Sequence, residues 1–172
     1  MIQENPIIFR EIQKFRQIWL YVLLISYSVT LFVGIIRKIF WHIPFGGNFM
    51  PLWILILLWL IFGLACPILL FKANLITEVR EDGLYIKLFP FHLSFHKISL
   101  EDLKSVKART YNPIKEFGGW GIRYGAYCNA YNVSGNKGVE LEFSAQKNLL
   151  IGSQKAPELA KALQGFIKQQ SI

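Results

Sequence analysis

The chain has 172 residues, of which 53% are hydrophobic and only 17% charged, with a formal net charge of +8 and a mean hydropathy of +0.34. A soluble globular domain carries about 25% charged residues, so this composition excludes a disordered chain, a coiled coil and an ordinary cytosolic enzyme. Part of the chain is apolar enough to lie in a membrane, which leaves about 100 residues for a water-soluble core.

The N-terminal segment, residues 1–17, predicts an amphipathic helix. Asn5 and Pro6 are a typical cap and first-turn pair. Apolar side chains recur at helical spacing on one face, namely Ile8, Ile12, Phe15 and Trp19. The helix would lie on the inner leaflet and lead into the first apolar run. The alternative is a helix packed on the soluble domain.

Residues 18–72 predict a transmembrane hairpin. Ile18–Ile36 and Leu52–Phe71 are uncharged runs of 19 and 20 residues. A helix of roughly 20 apolar residues crosses a hydrocarbon core of about 30 Å, and its backbone satisfies its own hydrogen bonds. A cleaved signal peptide is a poor explanation of the first run, because that run is longer than the apolar region of a typical signal peptide and a second run follows. Pro67 should bend the second helix.

The distribution of basic residues predicts the orientation of this hairpin. Four basic residues flank the runs on the side of the chain ends, namely Arg10, Lys14, Arg16 and Lys72. The connection between the runs holds Arg37 and Lys38. The positive-inside rule therefore favours a two-span protein of the cell membrane with both termini in the cytoplasm. The aromatic segment Phe40–Gly47 would then face outward at the interface or gather an external ligand.

Small residues predict where the two helices pack. Ser26, Thr30 and Gly34 recur every four residues in the first run, and Gly63 lies near the depth of Ser26 in an antiparallel hairpin. Small residues at this spacing allow helices to approach closely in lipid. The contact is expected between the two spans, or alternatively with another protein.

Residues 73–172 predict an α+β domain. Alternating apolar residues and turn signals such as Asp82-Gly83 mark seven short strands. They cover 75–80, 84–89, 91–96, 103–110, 127–133, 139–144 and 148–152. Ser153 is a typical cap, and Pro157 lies in the first turn of a final amphipathic helix that runs to about Gln169. Seven antiparallel strands in a barrel or sandwich, closed by a C-terminal helix, are the order of a pleckstrin-homology-like domain.

The chain as a whole resembles an uncharacterised family of small prokaryotic membrane proteins, which have two spans and a C-terminal pleckstrin-homology-like domain. The similarity is carried by residues 117–123 (FGGWGIR), 131–139 (YNVSGNKGV) and 150–154 (LIGSQ). The resemblance implies a fold and a membrane location, and it implies no reaction or ligand.

No catalytic, metal or cofactor site is predicted. His92 and His96 would stand about 13 Å apart on one strand, which is too far for a shared metal ion. Cys66 and Cys128 would lie in different compartments and belong to no CxxC pair. Neither a nucleophile elbow nor a zinc-binding HExxH sequence is present.

A glycine-rich stretch, Gly118–Gly125, is the one candidate site in the soluble half. It lacks the lysine and hydroxyl of a P-loop. Trp120 offers a stacking surface, Arg123 offers bidentate binding of an anion, and Tyr124 lies beside them. The alternative is that these glycines only shape a bulged turn.

The hypothesis from the sequence is a non-enzymatic, membrane-anchored binding or scaffold module. Its partners would be the lipid bilayer and a protein or a second copy of the chain. The basic residues are too dispersed to predict nucleic-acid binding. The alternative is an auxiliary subunit of a membrane transporter or enzyme complex, recognised through its spans.

Overall fold

The computed structural model describes residues 6–43 and 50–170. Asn5 and half of the predicted interfacial segment, residues 44–47, lie outside these ranges. The chain forms two compact units. One contains the residues up to Phe15 together with those from Ala73 onward, and the other contains residues 16–72. The first unit, which we call the soluble unit after the water-soluble domain predicted for residues 73–172, is therefore discontinuous in sequence.

The unit of residues 16–72 is a pair of apolar helices. Helix α1 covers Ile18–Phe40. The second rod consists of α2 (Leu52–Leu58), a π-helical segment (Trp59–Ala65) and α3 (Cys66–Lys72). With 23 and 21 residues, both are long and apolar enough to cross a membrane.

The helix contact is built around Gly63. A Cβ atom there would lie 2.8 Å from Ser28 Oγ and 2.8 Å from Trp59 Cδ1, so only glycine allows this approach. The prediction placed Ser26 at this point, but Ser26 and Thr30 are exposed and donate to carbonyls of their own helix. Ser28 lies there because it shares one face of α1 with the buried residues Leu31 and Ile35. Gly34 is buried as well.

The π-helical segment ends directly before Cys66 and Pro67. The proline ring cannot donate a hydrogen bond and clashes with the carbonyl group four residues earlier, which belongs to Gly63. The wider turn relieves this crowding, and the Cys66 amide donates to the Ile61 carbonyl. The sequence predicted a bend at Pro67, and what the structure shows there is a widened, π-helical segment on the N-terminal side of the proline.

Among the described residues, the other unit contains nine strands in two sheets, followed by a helix. The strands are β1 (Ile7–Lys14), β2 (Asn74–Arg80), β3 (Gly83–Phe89), β4 (His96–Ile98), β5 (Leu103–Thr110), β6 (Gly121–Tyr124), β7 (Cys128–Asn132), β8 (Lys137–Phe143) and β9 (Asn148–Gly152). Sheet A has the order β1-β2-β3-β4, and sheet B has the order β5-β8-β9-β7-β6. The two sheets do not form a closed barrel, and β7 pairs with β9 in parallel.

The predicted N-terminal helix is wrong, because Ile7–Lys14 is a strand. It pairs antiparallel with β2, for example Ile12 with Ile76 and Lys14 with Asn74, although both apolar helices lie between the two strands in the sequence. Its pattern misled the helical prediction because the inward positions hold polar Glu11 and Gln13, while Ile12 points outward and is 53% exposed. The segment is a strand because it pairs with β2, and the helical spacing of its apolar residues does not determine its conformation.

Two further predictions are corrected in the soluble unit. The segment 91–96 is mostly turn, and only His96–Ile98 pairs, with residues 84–86 of β3. The predicted glycine-rich turn contains a short edge strand, β6, which pairs with β7. With β1 and β6, the count rises from the predicted seven strands to nine.

The core lies between the sheets and under the C-terminal helix α5 (Ala156–Gln170). Leu75, Leu84 and Ile86 come from sheet A, and Leu141 and Ile151 come from sheet B. Helix α5 adds Leu159 and Leu163, which are fully buried. The alternation of buried residues along each strand supplies these contacts.

Candidate functional site

The candidate site begins at a short helix, α4 (Pro113–Phe117), which follows β5. The Asn112 side chain caps it by accepting hydrogen bonds from the amides of Ile114 and Lys115, and proline occupies the first turn. Gly118 ends the helix in the left-handed region with φ 71°, which glycine adopts without a steric cost. The cap and the glycine therefore fix where α4 begins and ends, and β6 starts three residues after Gly118.

Trp120 contributes to structure at this turn. Its indole Nε1 donates to the carbonyl oxygen of Gly135 at 3.2 Å, and the next amide, of Gly121, donates to Asn132 Oδ1 at 2.9 Å. Both bonds attach the start of β6 to residues of β7 and of the turn that follows β7. Trp120 is half-buried and does not line the groove described next.

Arg123 and Tyr124 line a shallow groove of about 460 Å³ between α4 and β6. Its other lining residues are Glu116, Phe117, Ile122 and Gly125. Tyr124 is 77% exposed, and Tyr127, in the β6–β7 turn, is 89% exposed. The structure therefore brings two of the three predicted site residues together.

Three residues of this region were missed by the sequence analysis: Glu116, Phe117 and Tyr127. Phe117 packs edge-on against the buried ring of Tyr111 at a centroid distance of 5.9 Å, which holds α4 against sheet B. A signal for them existed, because Asn112-Pro113 predicts a helix start and Tyr127 directly follows the glycine-rich stretch.

Among the charged groups around the groove, Glu116 and Arg109 form ion pairs, whereas Arg123 does not within the described residues. Glu116 accepts from the amide of Asn112 at 2.6 Å and from Arg109 at 2.8 Å, and these bonds lower its pKa, the first more than the second. Arg109 also donates to Glu140 at 2.5 Å. Arg123 is exposed and, within residues 6–43 and 50–170, forms no ion pair. Arg123 is therefore the cation available to an anionic ligand.

Burial shifts the pKa of two further groups near the groove, Tyr111 and Cys128. Burial raises the pKa of Tyr111 to about 12, although the Asn132 side chain opposes this, and burial also raises the pKa of Cys128 to about 11. A cysteine acts as a nucleophile through its thiolate, so Cys128 has the character of a packing residue.

The predicted separation of His92 and His96 is wrong. Their ring centroids are 6.1 Å apart, because the chain between them turns instead of extending as a strand. No group of three His, Cys, Asp or Glu side chains suited to a metal ion occurs in the part of the chain that the structure describes.

A family model described as a family of unknown function (DUF6141) matches residues 2–168. The chain belongs to DUF6141. The apolar helices, both sheets and the groove at Arg123 all lie within the range matched to DUF6141. No curated protein and no solved structure matches the chain.

Proposed function

We propose that this DUF6141 protein is a membrane-anchored, non-enzymatic binding or scaffold module. The observation that carries the proposal is the insertion of both apolar helices between β1 and β2, which are neighbours in sheet A. The soluble unit is therefore attached to the proposed spans through two adjacent strands, which is a strong attachment for a module that acts at a membrane surface.

The soluble unit supports a pleckstrin-homology-like assignment in its general plan. Two sheets enclose one core, and a single amphipathic helix at the C-terminal end covers it. We infer a variant of that plan, in which β1 and β6 are added to the seven expected strands.

The groove at Arg123 is the proposed recognition surface. An unpaired guanidinium beside exposed tyrosine rings suits an acidic segment of a partner protein, because arginine binds carboxylates through two parallel hydrogen bonds and tyrosines add rigid contact area.

We propose that both chain ends lie in the cytoplasm, on the basis of the flanking basic residues. Single cysteines placed at His42 and at Lys161 can be probed with an impermeant thiol reagent on intact cells, in a background without Cys66 and Cys128. Labelling at position 42 alone is expected. Labelling at position 161 alone would reverse the orientation.

The binding role can be tested by photo-crosslinking of the full chain in native membranes. A benzoylphenylalanine at Tyr124 should capture a defined partner, and Arg123→Ala should reduce this capture several-fold. Lys104→Ala, at an exposed position on β5, is the matched control and should leave it unchanged. Capture that is insensitive to Arg123→Ala would contradict the proposed recognition surface.

The alternative function, an auxiliary subunit of a membrane complex, is favoured by one observation. Ser26 and Thr30 face outward from the helix pair, where small polar residues suit contact with a helix of another protein. A photo-crosslinker at Thr30 tests this alternative. Capture at Thr30 together with none at Tyr124 would favour the subunit.

A further inference from the structure

The β3–β4 loop, residues 90–95, lies at the end of sheet A where β3 ends. The register pairs Lys14 with Asn74 and Asn74 with Phe89, so the end of β1, the start of β2 and the end of β3 form one row. We call this row the span-side end of sheet A. The loop leaves it directly after Phe89.

Both connections to the apolar helices start from the same end. Only residues 15–17 separate β1 from α1, and only Ala73 separates α3 from β2. Because a chain extends at most about 3.3–3.6 Å per residue, these connections are short. The span-side end therefore carries both junctions to the proposed spans.

The loop exposes two large apolar side chains. Phe91 is 70% exposed and Leu93 is 80% exposed. Between them His92 is turned inward, with its ring 5.9 Å from the ring of buried Tyr131 and its amide donating to the Leu88 carbonyl at 2.8 Å. This anchor holds the backbone in place while both neighbouring side chains point away from the core.

Among the described residues, the ion pairs of sheet A lie toward one end of the sheet, and two lysines without an ion pair lie toward the other. Lys14 and Lys87 lie toward the span-side end on the outer face, and neither has an ion pair within the described ranges. The acidic side chains of that face lie toward the opposite end. Glu78 pairs with Arg10 and Arg80 there, and Asp82 pairs with Lys97.

We propose that Phe91 and Leu93 insert into the interfacial layer of the leaflet from which both spans start, with Lys14 and Lys87 facing anionic headgroups. This inference rests on the membrane anchoring proposed above. Exposed aromatic and aliphatic side chains are favourable at the boundary of headgroups and acyl chains, and nearby cations are attracted to anionic lipids. The occupant of the patch is the lipid surface itself.

The test uses the full chain in bilayers of phosphatidylcholine, with and without phosphatidylglycerol, in a Cys66→Ala, Cys128→Ala background. An environment-sensitive fluorophore is attached to Leu93→Cys. The matched control is Glu81→Cys, which is exposed in the β2–β3 turn at the opposite end of the same sheet. Quenchers are acyl-brominated lipid from the membrane and iodide from the water.

We expect brominated lipid to quench the label at position 93 and not the label at position 81. Iodide should quench the label at position 93 several-fold less than the label at position 81. Quenching by brominated lipid should increase with phosphatidylglycerol, and no such increase would overturn the role of the lysines. Equal access of iodide to both labels would overturn the inference. So would a label at position 93 that neither agent reaches, because a protein or a second copy would then cover the loop.

A third label, at Val29→Cys in α1, separates this inference from the proposed function. If brominated lipid quenches position 29 and not position 93, the anchoring stands and the loop inference fails. If it quenches neither position, the membrane anchoring itself fails.

Discussion

At the scale of single residues, two polar side chains decide how the N-terminal strand attaches. Glu11 accepts hydrogen bonds from the Ser153 hydroxyl at 2.5 Å and from the Gln154 amide at 2.9 Å, and Gln13 donates to the Gly152 carbonyl at 2.6 Å. All these groups lie at the end of β9 or just before α5. A carboxylate beside the start of a helix is also favoured by the helix dipole.

Glu11→Ala should destabilise the soluble unit by about 1–3 kcal/mol, because it leaves the buried Ser153 hydroxyl and the partly buried Gln154 amide without their acceptor. Urea unfolding followed by pulse proteolysis of the full chain in detergent measures the change. Ile12→Ala, at the exposed neighbouring position, is the control and should have a much smaller effect. Equal effects would show that the buried hydrogen bonds contribute nothing specific.

His92 predicts a pH dependence of stability. Its pKa lies below the ordinary value of 6.5, chiefly through burial and to a lesser degree through the charge of His96. The folded state therefore binds the proton more weakly than the unfolded state. The contribution of His92 is complete above pH 6.5 and declines as the pH falls from there through the folded pKa.

Histidine resonances followed by nuclear magnetic resonance should show one imidazole that titrates below the ordinary value and disappears in His92→Gln. The same variant should lose part of the stability decrease below pH 6.5. A His92 resonance that titrates at or above that value would contradict the lowered pKa of this half-buried ring.

At the scale of elements, the C-terminal helix is needed to close the core. Leu159 and Leu163 of α5 are fully buried, while Gln164 is exposed beside them. The helix is amphipathic, so its stability depends on this packed face more than on helix propensity.

Leu163→Ala should lower the free energy of unfolding by about 2–5 kcal/mol, because it removes buried methyl groups and leaves a cavity. Gln164→Ala should change it by less than about 0.5 kcal/mol. Thermal unfolding followed by circular dichroism gives both values. A Leu163→Ala protein that melts with the wild type would show that α5 is not part of the folded core.

At the scale of the whole molecule, the soluble unit is divided by the apolar helices. The strand β1 contributes Phe9 to the edge of the core and covers the hydrogen-bonding edge of β2. An uncovered strand edge is an aggregation hazard. A fragment that begins at residue 73 lacks this cover.

A chain in which residues 1–14 are joined to residues 74–172 by a short turn should fold, because Lys14 and Asn74 already pair across the two strands. The fragment 73–172 should aggregate or unfold at a lower temperature. Solubility, circular dichroism and the dispersion of amide resonances compare the two. A fragment as stable as the joined chain would show that β1 is dispensable.

The apolar helices and most of the soluble strands could be predicted from the sequence, because each depends on a local pattern. A run of apolar residues predicts a long helix whatever surrounds it. Alternation around Asp82-Gly83 predicts the hairpin β2–β3, and the stripe of Leu159 and Leu163 predicts α5. The concentration of glycines and aromatic residues pointed to Arg123 and Tyr124, which line one groove in the structure, and their role as a site stays a prediction.

Tertiary structure alone decided the rest, because those features depend on partners distant in sequence. β1 is a strand because β2 pairs with it, and its inward Glu11 and Gln13 find donors and acceptors near α5. The histidines approach because the loop between β3 and β4 turns. That turn also exposes Phe91 and Leu93, which alternation had assigned to a strand, since a periodic pattern does not specify which segments pair.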